Sequence, residues 1–131
     1  MKKEKAYYAH SKQIYDTNRE KQELSFLRQH FDVVCPNNDI GEYNSIEPYL
    51  NAVKTCDRVV CSEYKKHIGK GVFKEIRCAF EEGKRLFVLR KRKKKYRLFE
   101  ILGKSHKYGV IIDEDADWKI YYARIKLTRI K

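Results

Sequence analysis

Short apolar runs alternate with longer amphipathic stretches through the first ninety residues of the chain. The four consecutive apolar residues at 86–89 indicate a strand buried on both faces, as strands of parallel sheets are. Between the runs, apolar positions recur at intervals of three and four, which is typical of helices packed on one side. The pattern predicts strands at 5–10, 32–35, 57–62 and 86–89, and helices at 11–30, 44–53 and 72–82.

Strands and helices that alternate with short connections predict a three-layer α/β fold. We expect an open, mostly parallel, doubly wound sheet of about five strands in a flavodoxin-like order. A single domain would span residues 1–131. Beyond Arg90, the segment 96–103 is best interpreted as a short helix that ends at Gly103. An antiparallel hairpin of this segment with residues 86–90 is the alternative.

The last thirty residues contain three further segments. The apolar run 110–112 predicts a fifth strand. Apolar and polar positions alternate in residues 118–127, which predicts a final strand. An antiparallel strand at the C-terminal edge of the sheet stays an option. The acidic segment 113–117 alternates like the start of a calcium loop. It lacks the glycine and the glutamate that such a loop needs at its sixth and twelfth positions, so we interpret it as an acidic turn.

Composition excludes several classes of protein. The chain has 131 residues, of which 42% are hydrophobic and 13% aromatic, too many for a disordered polyelectrolyte. It contains no apolar run of about 18 residues, so we expect no membrane-spanning helix. Its N-terminus leads directly into a predicted strand, unlike a signal peptide. We therefore expect a cytoplasmic location, or the host cytoplasm if the protein is viral. The small size, single methionine and many lysines and tyrosines are similar in style to small crenarchaeal virus proteins.

The four cysteines do not form a recognisable ligand motif. They are Cys35, Cys56, Cys61 and Cys78, and the closest two are too far apart for the tight spacing of a zinc knuckle. Their apolar neighbours favour four small buried side chains over a metal site. A disulfide between two of them stays open. We expect no metal and no cofactor.

Ligands of doubly wound sheets bind beyond the carboxyl ends of the strands, which directs attention to the loops after each predicted strand. Gly71 opens the helix after the third strand, and Glu75 lies one turn into it, close to that crevice. Ala79 follows four residues later, and Gly83 with Lys84 precedes the next strand. This spacing resembles the nucleoside 2-deoxyribosyltransferase-like family. The opening strand 7–11 and the segment 34–36, which ends in proline, fit the same resemblance, which covers residues 5–89.

The resemblance implies cleavage or transfer at the N-glycosidic bond of a nucleoside or nucleotide. Glu75 would be the nucleophile that attacks the anomeric carbon and holds a glycosyl ester. Tyr7 or Tyr8, with His10, would line the sugar and base pocket. The remaining residues implied to bind substrate are Ser11, Gly69 and Gly71.

Two positions depart from the family pattern. Gly69 stands where the family has an aspartate, and Val72 where a small hydroxyl residue often follows the glycine. Glu63, at the end of the third strand, is the candidate replacement carboxylate. The alternative for Glu75 itself is a solvated glutamate on the helix surface, paired with Lys70, Lys74 or Arg77.

The net charge of +12 is concentrated in one stretch. Residues 84–107 carry a net charge of +10, so the rest of the chain is nearly neutral. Six consecutive cations at 90–95 suggest a polyanionic partner such as DNA or RNA, with an aromatic side chain available to stack on bases. A solvated, mobile loop is the alternative. The candidate nucleic-acid-binding residues are Arg90, Lys91, Arg92, Lys93, Lys94, Lys95, Tyr96 and Arg97.

Two functions from different classes therefore remain open. The first is an N-deoxyribosyltransferase or N-glycoside hydrolase that uses Glu75. The second is a non-catalytic nucleic-acid-binding protein that uses the basic run 90–97. The family's sites are often completed by a neighbouring subunit, so the resemblance also implies a homodimer.

Overall fold

The computed structural model describes residues 3–64, 67–101 and 111–112. Two short non-α turns accompany the regular elements: a 3₁₀ turn at Lys12–Ile14 and a π-helical turn at Pro36–Ile40. The regular elements are β1 (Lys5–Ala9), α1 (Asn18–Arg28), β2 (Asp32–Val34), α2 (Glu47–Thr55), β3 (Arg58–Ser62), β4 (His67–Ile68), α3 (Lys70–Glu81), β5 (Arg85–Arg92), β6 (Lys95–Ile101) and β7 (Ile111–Ile112).

The main sheet has five strands in the order β2-β1-β3-β5-β6. Its first four strands are parallel, and β6 lies antiparallel beside β5 at one edge. At the level of Tyr7 the neighbouring residues are Val34 in β2 and Val59 in β3. The α/β fold, the mostly parallel sheet and the antiparallel edge strand predicted from the sequence are confirmed.

Helices cover both faces of the sheet and divide the core into two parts. The face that we call the α3 face carries Tyr7, Val59 and Val88, which pack with residues of α2 and α3. The opposite face, the α1 face, carries Tyr8 and Val60, which pack with leucines of α1. Successive strand residues point to opposite faces, so one strand supplies both cores. No helix in the described part of the chain has the length and apolar character of a membrane span.

The helix predicted at 11–30 is shorter than expected at its start. Asp16 has a φ of 60°, a left-handed conformation that interrupts the helix. Thr17 then caps α1 by accepting a hydrogen bond from the backbone N–H of Glu20, at 3.2 Å. A carboxylate oxygen of Glu20 accepts from the N–H of Asp16, at 3.1 Å. The local polar groups therefore start the helix at Asn18, after the 3₁₀ turn.

The segment 96–103, interpreted preferentially as a helix, is a strand over the residues that the structure describes. Leu98 pairs with Leu89, and Ile101 pairs with Leu86. Leu98 and Ile101 are both buried, one on each side of the hairpin. The preference for a helix was wrong because pairing with β5 satisfies the backbone and buries both side chains. Gly103 lies outside the described residues.

The fifth strand expected at 110–112 also takes a different place. His67 and Ile68 form β4, which pairs in parallel with β7 in a separate two-stranded sheet. The predicted fifth strand is thus a strand, but it does not join the main sheet. The acidic turn 113–117 and the final strand 118–127 lie outside the described residues.

The four cysteines are buried, free thiols, as their apolar neighbours predicted. None of the four is in a disulfide. Burial raises the pKa of Cys35 and of Cys56 to about 11. These thiols are therefore protonated near neutral pH unless a cation replaces the proton.

Candidate active site

Glu75 and Tyr7 meet in the core of the α3 face. Tyr7 is fully buried and Glu75 is 6% exposed. The Tyr7 hydroxyl donates a hydrogen bond to the Glu75 carboxylate, although 68 residues separate the two in sequence. The parallel register of β1 and the packing of α3 thus bring together a phenol and a carboxyl group in a site with little solvent.

The amphipathic pattern of α3 explains why Glu75 is buried. Val72, Ile76 and Ala79 face the core, and Glu75 occupies the same side of the helix. Among the described residues no lysine or arginine forms an ion pair with Glu75. The alternative of a solvated surface glutamate is therefore excluded.

Burial raises the pKa of Glu75 to about 8, although the hydrogen bond from Tyr7 lowers it. Near neutral pH the carboxyl group is therefore largely protonated. Burial, and then the charge of Glu75, raises the pKa of Tyr7 above its usual range. The pKa of Tyr15 is raised by the same two causes, so the charge of Glu75 acts on two tyrosines.

The two glycines of the predicted motif begin α3. Gly69 is the residue before the helix, and Gly71 lies in its first turn. A Cβ built on either glycine meets no described atom within 4 Å. Neither glycine has a positive φ, so the backbone does not require glycine at these positions. The described part of the chain therefore leaves open space beside the start of α3.

Glu63 lies at the carboxyl edge of β3, where it was expected to replace the missing aspartate. Its carboxylate accepts a hydrogen bond from Arg90 Nε at 2.9 Å, and its backbone carbonyl accepts one from Arg19. Arg90 therefore links this carboxylate to the basic hairpin formed by β5 and β6.

Tyr8 and His10, expected beside the nucleophile, lie on the α1 face. Their rings stack with centroids 3.8 Å apart. The structure therefore joins Tyr7 with Glu75 but separates both from Tyr8 and His10 by the thickness of the sheet. Ser11 begins the 3₁₀ turn and accepts a hydrogen bond from the N–H of Gln13 at 3.2 Å.

Two buried carboxylates on the α1 face were missed by the sequence analysis. Glu23 accepts hydrogen bonds from the hydroxyl of Tyr8, from Ser62 Oγ at 3.0 Å and from Arg19 Nε at 3.0 Å. Glu20 contacts His10 Nε2 at 2.6 Å. A signal was present: both glutamates lie on the same helical side as Leu24 and Leu27, the apolar stripe of α1.

The basic run 90–97 lies in the antiparallel hairpin of β5 and β6, which was the alternative that the sequence offered for the segment after Arg90. Arg90 pairs across the hairpin with Arg97, and Arg92 pairs with Lys95. Because strand residues alternate between faces, these four cations project on the same side as Val88, which is the α3 face. Like charges placed directly opposite each other destabilise a hairpin.

Charge balance differs between the two ends of this hairpin. Arg85 makes two hydrogen bonds of 2.7 and 2.8 Å to Glu100 near the amino end of β5. Toward the tip, no carboxylate of the described residues forms an ion pair with Arg92, Lys95 or Arg97. On the other side, Tyr96 donates to Gln22, contacts Phe26 and lies under the Lys91 ammonium at 5.3 Å. Tyr96 therefore packs against α1, while the unpaired cations face outward.

Comparison with known proteins identifies no relative: no family model, no curated protein and no solved structure matches the chain. The function is therefore argued from the site.

Proposed function

We propose that this protein cleaves or transfers the N-glycosidic bond of a nucleoside or nucleotide, with Glu75 as the nucleophile. The observation that carries the proposal is the buried Glu75 carboxyl group, hydrogen-bonded by Tyr7, without a described cation to neutralise it. A structural glutamate of α3 would be more stable on the exposed side of the helix. The position of Glu75 in the core therefore favours a chemical role for its carboxyl group.

The reaction proceeds in two displacements. A carboxylate oxygen of Glu75 forms a bond to the anomeric carbon of the sugar as the bond from that carbon to the base nitrogen breaks. The base leaves with the bonding electron pair and takes a proton from solvent. Water, or a second base, then attacks the anomeric carbon and releases the Glu75 carboxylate. Tyr7 orients the attacking carboxylate through its hydroxyl.

The protonation state of Glu75 gives this mechanism a pH signature. Only the carboxylate form attacks carbon, and the pKa of Glu75 is about 8. As pH increases toward 8, the rate of base release should therefore rise about tenfold for each pH unit, and it should level off above pH 8. An unperturbed glutamate would be fully ionised over the same range.

Base release from a panel of purine and pyrimidine nucleosides and nucleotides, followed by chromatography, tests the proposal. We expect release by the wild-type protein and a loss of at least about a thousandfold in Glu75→Gln, which keeps the shape and removes the nucleophile. Glu81→Gln, an exposed substitution on the same helix, is the matched control and should retain full activity. No release from any member of the panel, or equal release by Glu75→Gln, would refute the proposal.

A second candidate function, nucleic-acid binding, is favoured by the geometry of the hairpin tip. Lys93 and Lys94 have φ values of 52° and 64°, a left-handed turn for which Asn-Gly is the preferred sequence. Two lysines therefore occupy a strained turn beside the unpaired cations Arg92, Lys95 and Arg97. A polyanionic partner relieves the like-charge repulsion at this tip, and a strained turn that carries two lysines favours a role for them.

Salt dependence of binding to labelled single- and double-stranded DNA tests this second function. Replacement of Arg92, Lys95 and Arg97 by glutamine should lower the slope of log affinity against log salt concentration by roughly three if each contacts one phosphate. The control replaces three exposed lysines elsewhere, Lys12, Lys21 and Lys54, and removes the same net charge. An equal loss of affinity in both variants would show that the hairpin has no special role.

A further inference from the structure

Three potential metal ligands converge on the α1 face, away from Glu75. His10 follows β1, Glu20 lies in the first turn of α1, and Cys35 follows β2. The imidazole nitrogen, a carboxylate oxygen and the thiol sulfur all lie within 4.8 Å of one another. Exposed fractions are 3% for His10, 3% for Glu20 and 0% for Cys35. Chance clusters of polar residues are common on surfaces, but this cluster is buried.

The hydrogen bonds of His10 provide a second, independent observation. Its Nδ1 lies 2.9 Å from the backbone carbonyl oxygen of Tyr8, and its Nε2 lies 2.6 Å from Glu20 Oε2. A carbonyl oxygen only accepts, so Nδ1 carries a proton. A neutral imidazole has one N–H, so Nε2 then directs a lone pair at a carboxylate oxygen. This contact requires a proton between the two atoms, and a metal ion that binds both atoms would take the place of that proton.

The orientation of the ring matches that of a metal-binding histidine. Such histidines donate their distal N–H to a backbone carbonyl or a carboxylate, which fixes the tautomer and aims the other nitrogen at the metal. Here Tyr8 supplies the carbonyl. The combination of nitrogen, sulfur and oxygen donors suits Zn²⁺, whereas Ca²⁺ and Mg²⁺ prefer oxygen alone.

The two oxygens of Glu20 have different partners. Oε1 accepts from the N–H of Asp16 at 3.1 Å and from Asn37 Nδ2 at 3.3 Å. Oε2 has His10 as its partner. Two donors therefore hold the carboxylate from one side and leave the other oxygen to serve as a ligand, which is the arrangement of outer-shell support around a metal ligand.

Cys35 is supported in a similar way. The thiol donates to Asn37 Oδ1 at 3.1 Å and accepts from Asn38 Nδ2 at 3.6 Å. The Asn38 contact stabilises a thiolate, and the proton that the thiol now gives to Asn37 leaves when a metal binds. A thiolate and a carboxylate together carry two negative charges, so a divalent cation makes the buried site neutral.

The dimensions require only a small adjustment. Tetrahedral zinc sites hold nitrogen, oxygen and sulfur ligands at about 2.0–2.3 Å from the metal, which separates ligand atoms by about 3.3–3.8 Å. The contact between His10 and Glu20 would open by under about 1 Å on binding. A cleft of about 650 Å³ is lined in part by Asp16, Glu20 and Asn38, so of the three ligands it borders Glu20, and a water ligand would come from this side.

We propose that His10, Glu20 and Cys35 bind one Zn²⁺ ion through Nε2, Oε2 and Sγ, with water from the cleft as the fourth ligand. The ion joins the ends of two adjacent strands to the start of α1. It lies across the sheet from Glu75, so the site stands independently of the proposed glycosidic chemistry.

Metal binding to the full-length protein, stripped with a chelator, tests the proposal. Titration with Zn²⁺ in competition with a chromophoric chelator should give one equivalent per chain. Co²⁺ is the spectroscopic probe: the wild-type protein should show visible bands of tetrahedral intensity and a near-ultraviolet sulfur-to-cobalt charge-transfer band. A stoichiometry well below one, or a cobalt spectrum without the charge-transfer band, would overturn the assignment and leave a hydrogen bond between His10 and Glu20 as the explanation of their contact.

Substitutions identify the ligands. Cys35→Ser should abolish the charge-transfer band and weaken Zn²⁺ binding by roughly 100-fold or more, since loss of outer-shell partners alone costs about 10–100-fold. Cys78→Ser, a buried thiol on α3, is the matched control and should bind Zn²⁺ as the wild type does. Glu20→Gln should weaken binding but keep the charge-transfer band, which separates loss of a ligand from loss of the fold. Equal Zn²⁺ affinity in Cys35→Ser and Cys78→Ser would contradict the site.

Discussion

Buried carboxyl groups have different polar partners on the two faces of the sheet. On the α1 face, Glu23 accepts hydrogen bonds from Tyr8 and Ser62 and forms an ion pair with Arg19. On the α3 face, Glu75 accepts a hydrogen bond from Tyr7 and forms no ion pair with a lysine or arginine of the described residues, and its pKa rises to about 8. A compensated carboxylate stays ionised and links neighbouring elements, whereas an uncompensated one has a raised pKa, a property that is common in functional sites.

The largest expected effect is a loss of stability on substitution of Glu23, on the α1 face. Glu23→Ala leaves the Tyr8 hydroxyl and Ser62 without their acceptor and Arg19 without its counter-ion. We expect a loss of about 2 to 4 kcal/mol in the free energy of unfolding, measured by urea denaturation, because two buried hydroxyl groups lose their acceptor. Glu81→Ala, on the exposed side of α3, should change it by less than about 0.5 kcal/mol. A similarly small change in Glu23→Ala would show that the network does not support the fold.

The raised pKa of Glu75 predicts that its contribution to the stability of the protein falls as pH rises. A paired carboxylate with a lowered pKa would have the opposite effect. The pKa of Glu75 is raised in the folded state, so the folded protein retains a proton that the unfolded chain has lost. The contribution of Glu75 to stability is therefore complete below its ordinary pKa of 4.5 and is lost as pH rises to about 8.

The loss over this range should be a few kcal/mol, because the shift is several units. Glu75→Gln cannot ionise, so its stability should lack this decline. Urea denaturation of both proteins at intervals between pH 5 and 9 measures the difference. Parallel pH profiles for the two proteins would mean that Glu75 is ionised in the fold.

A smaller effect is expected when the Tyr7 hydroxyl group is removed. Its hydrogen bond lowers the pKa of Glu75, against the larger effect of burial. Tyr7→Phe should raise that pKa further by about one unit, since a hydrogen bond to a charged group contributes about 1.5–3 kcal/mol. Carboxyl NMR titration measures it directly. Tyr49→Phe is the control: the Tyr49 hydroxyl donates to the carbonyl of Gly41, so the pKa of Glu75 should stay nearly unchanged.

The smallest effect expected concerns the hairpin that extends the α3 face. Replacing Lys93 with Asn and Lys94 with Gly should stabilise the protein by about 1 kcal/mol, because both suit a left-handed turn. If the hairpin binds nucleic acid, the same variant should bind DNA more weakly at low salt. A variant that gains stability without losing affinity would assign the two lysines no role in binding.

The fold class was accessible from the sequence because its signals are local. Leu86–Leu89 is fully buried in a parallel strand, as an unbroken apolar run predicts. The hairpin was harder to predict from the sequence. The apolar residues of 96–101 have a helix-like spacing, and Lys93 and Lys94 differ from the Asn-Gly pair that usually marks a tight turn. Only the presence of β5 as a partner made this segment a strand.

The candidate site was predictable in part. The spacing of Gly71 and Glu75 placed a carboxyl group near the crevice, but not its burial, its unpaired state or its contact with Tyr7. Glu20 and Glu23 could have been noticed as acids on the apolar stripe of α1. Their partners could not, because Tyr8 and His10 come from β1 and the residue after it, and Ser62 comes from the end of β3.

The sequence by itself determined the order of the main strands and helices up to residue 89, the burial of the apolar runs and the place of the basic stretch, because each depends on neighbours within a few residues. Tertiary structure alone decided which polar groups share a face. Tyr7 and Tyr8 are adjacent, yet the pleat of β1 sends one to Glu75 and the other to Glu23. That separation places the proposed nucleophile on one side of the sheet and the proposed zinc ligands on the other.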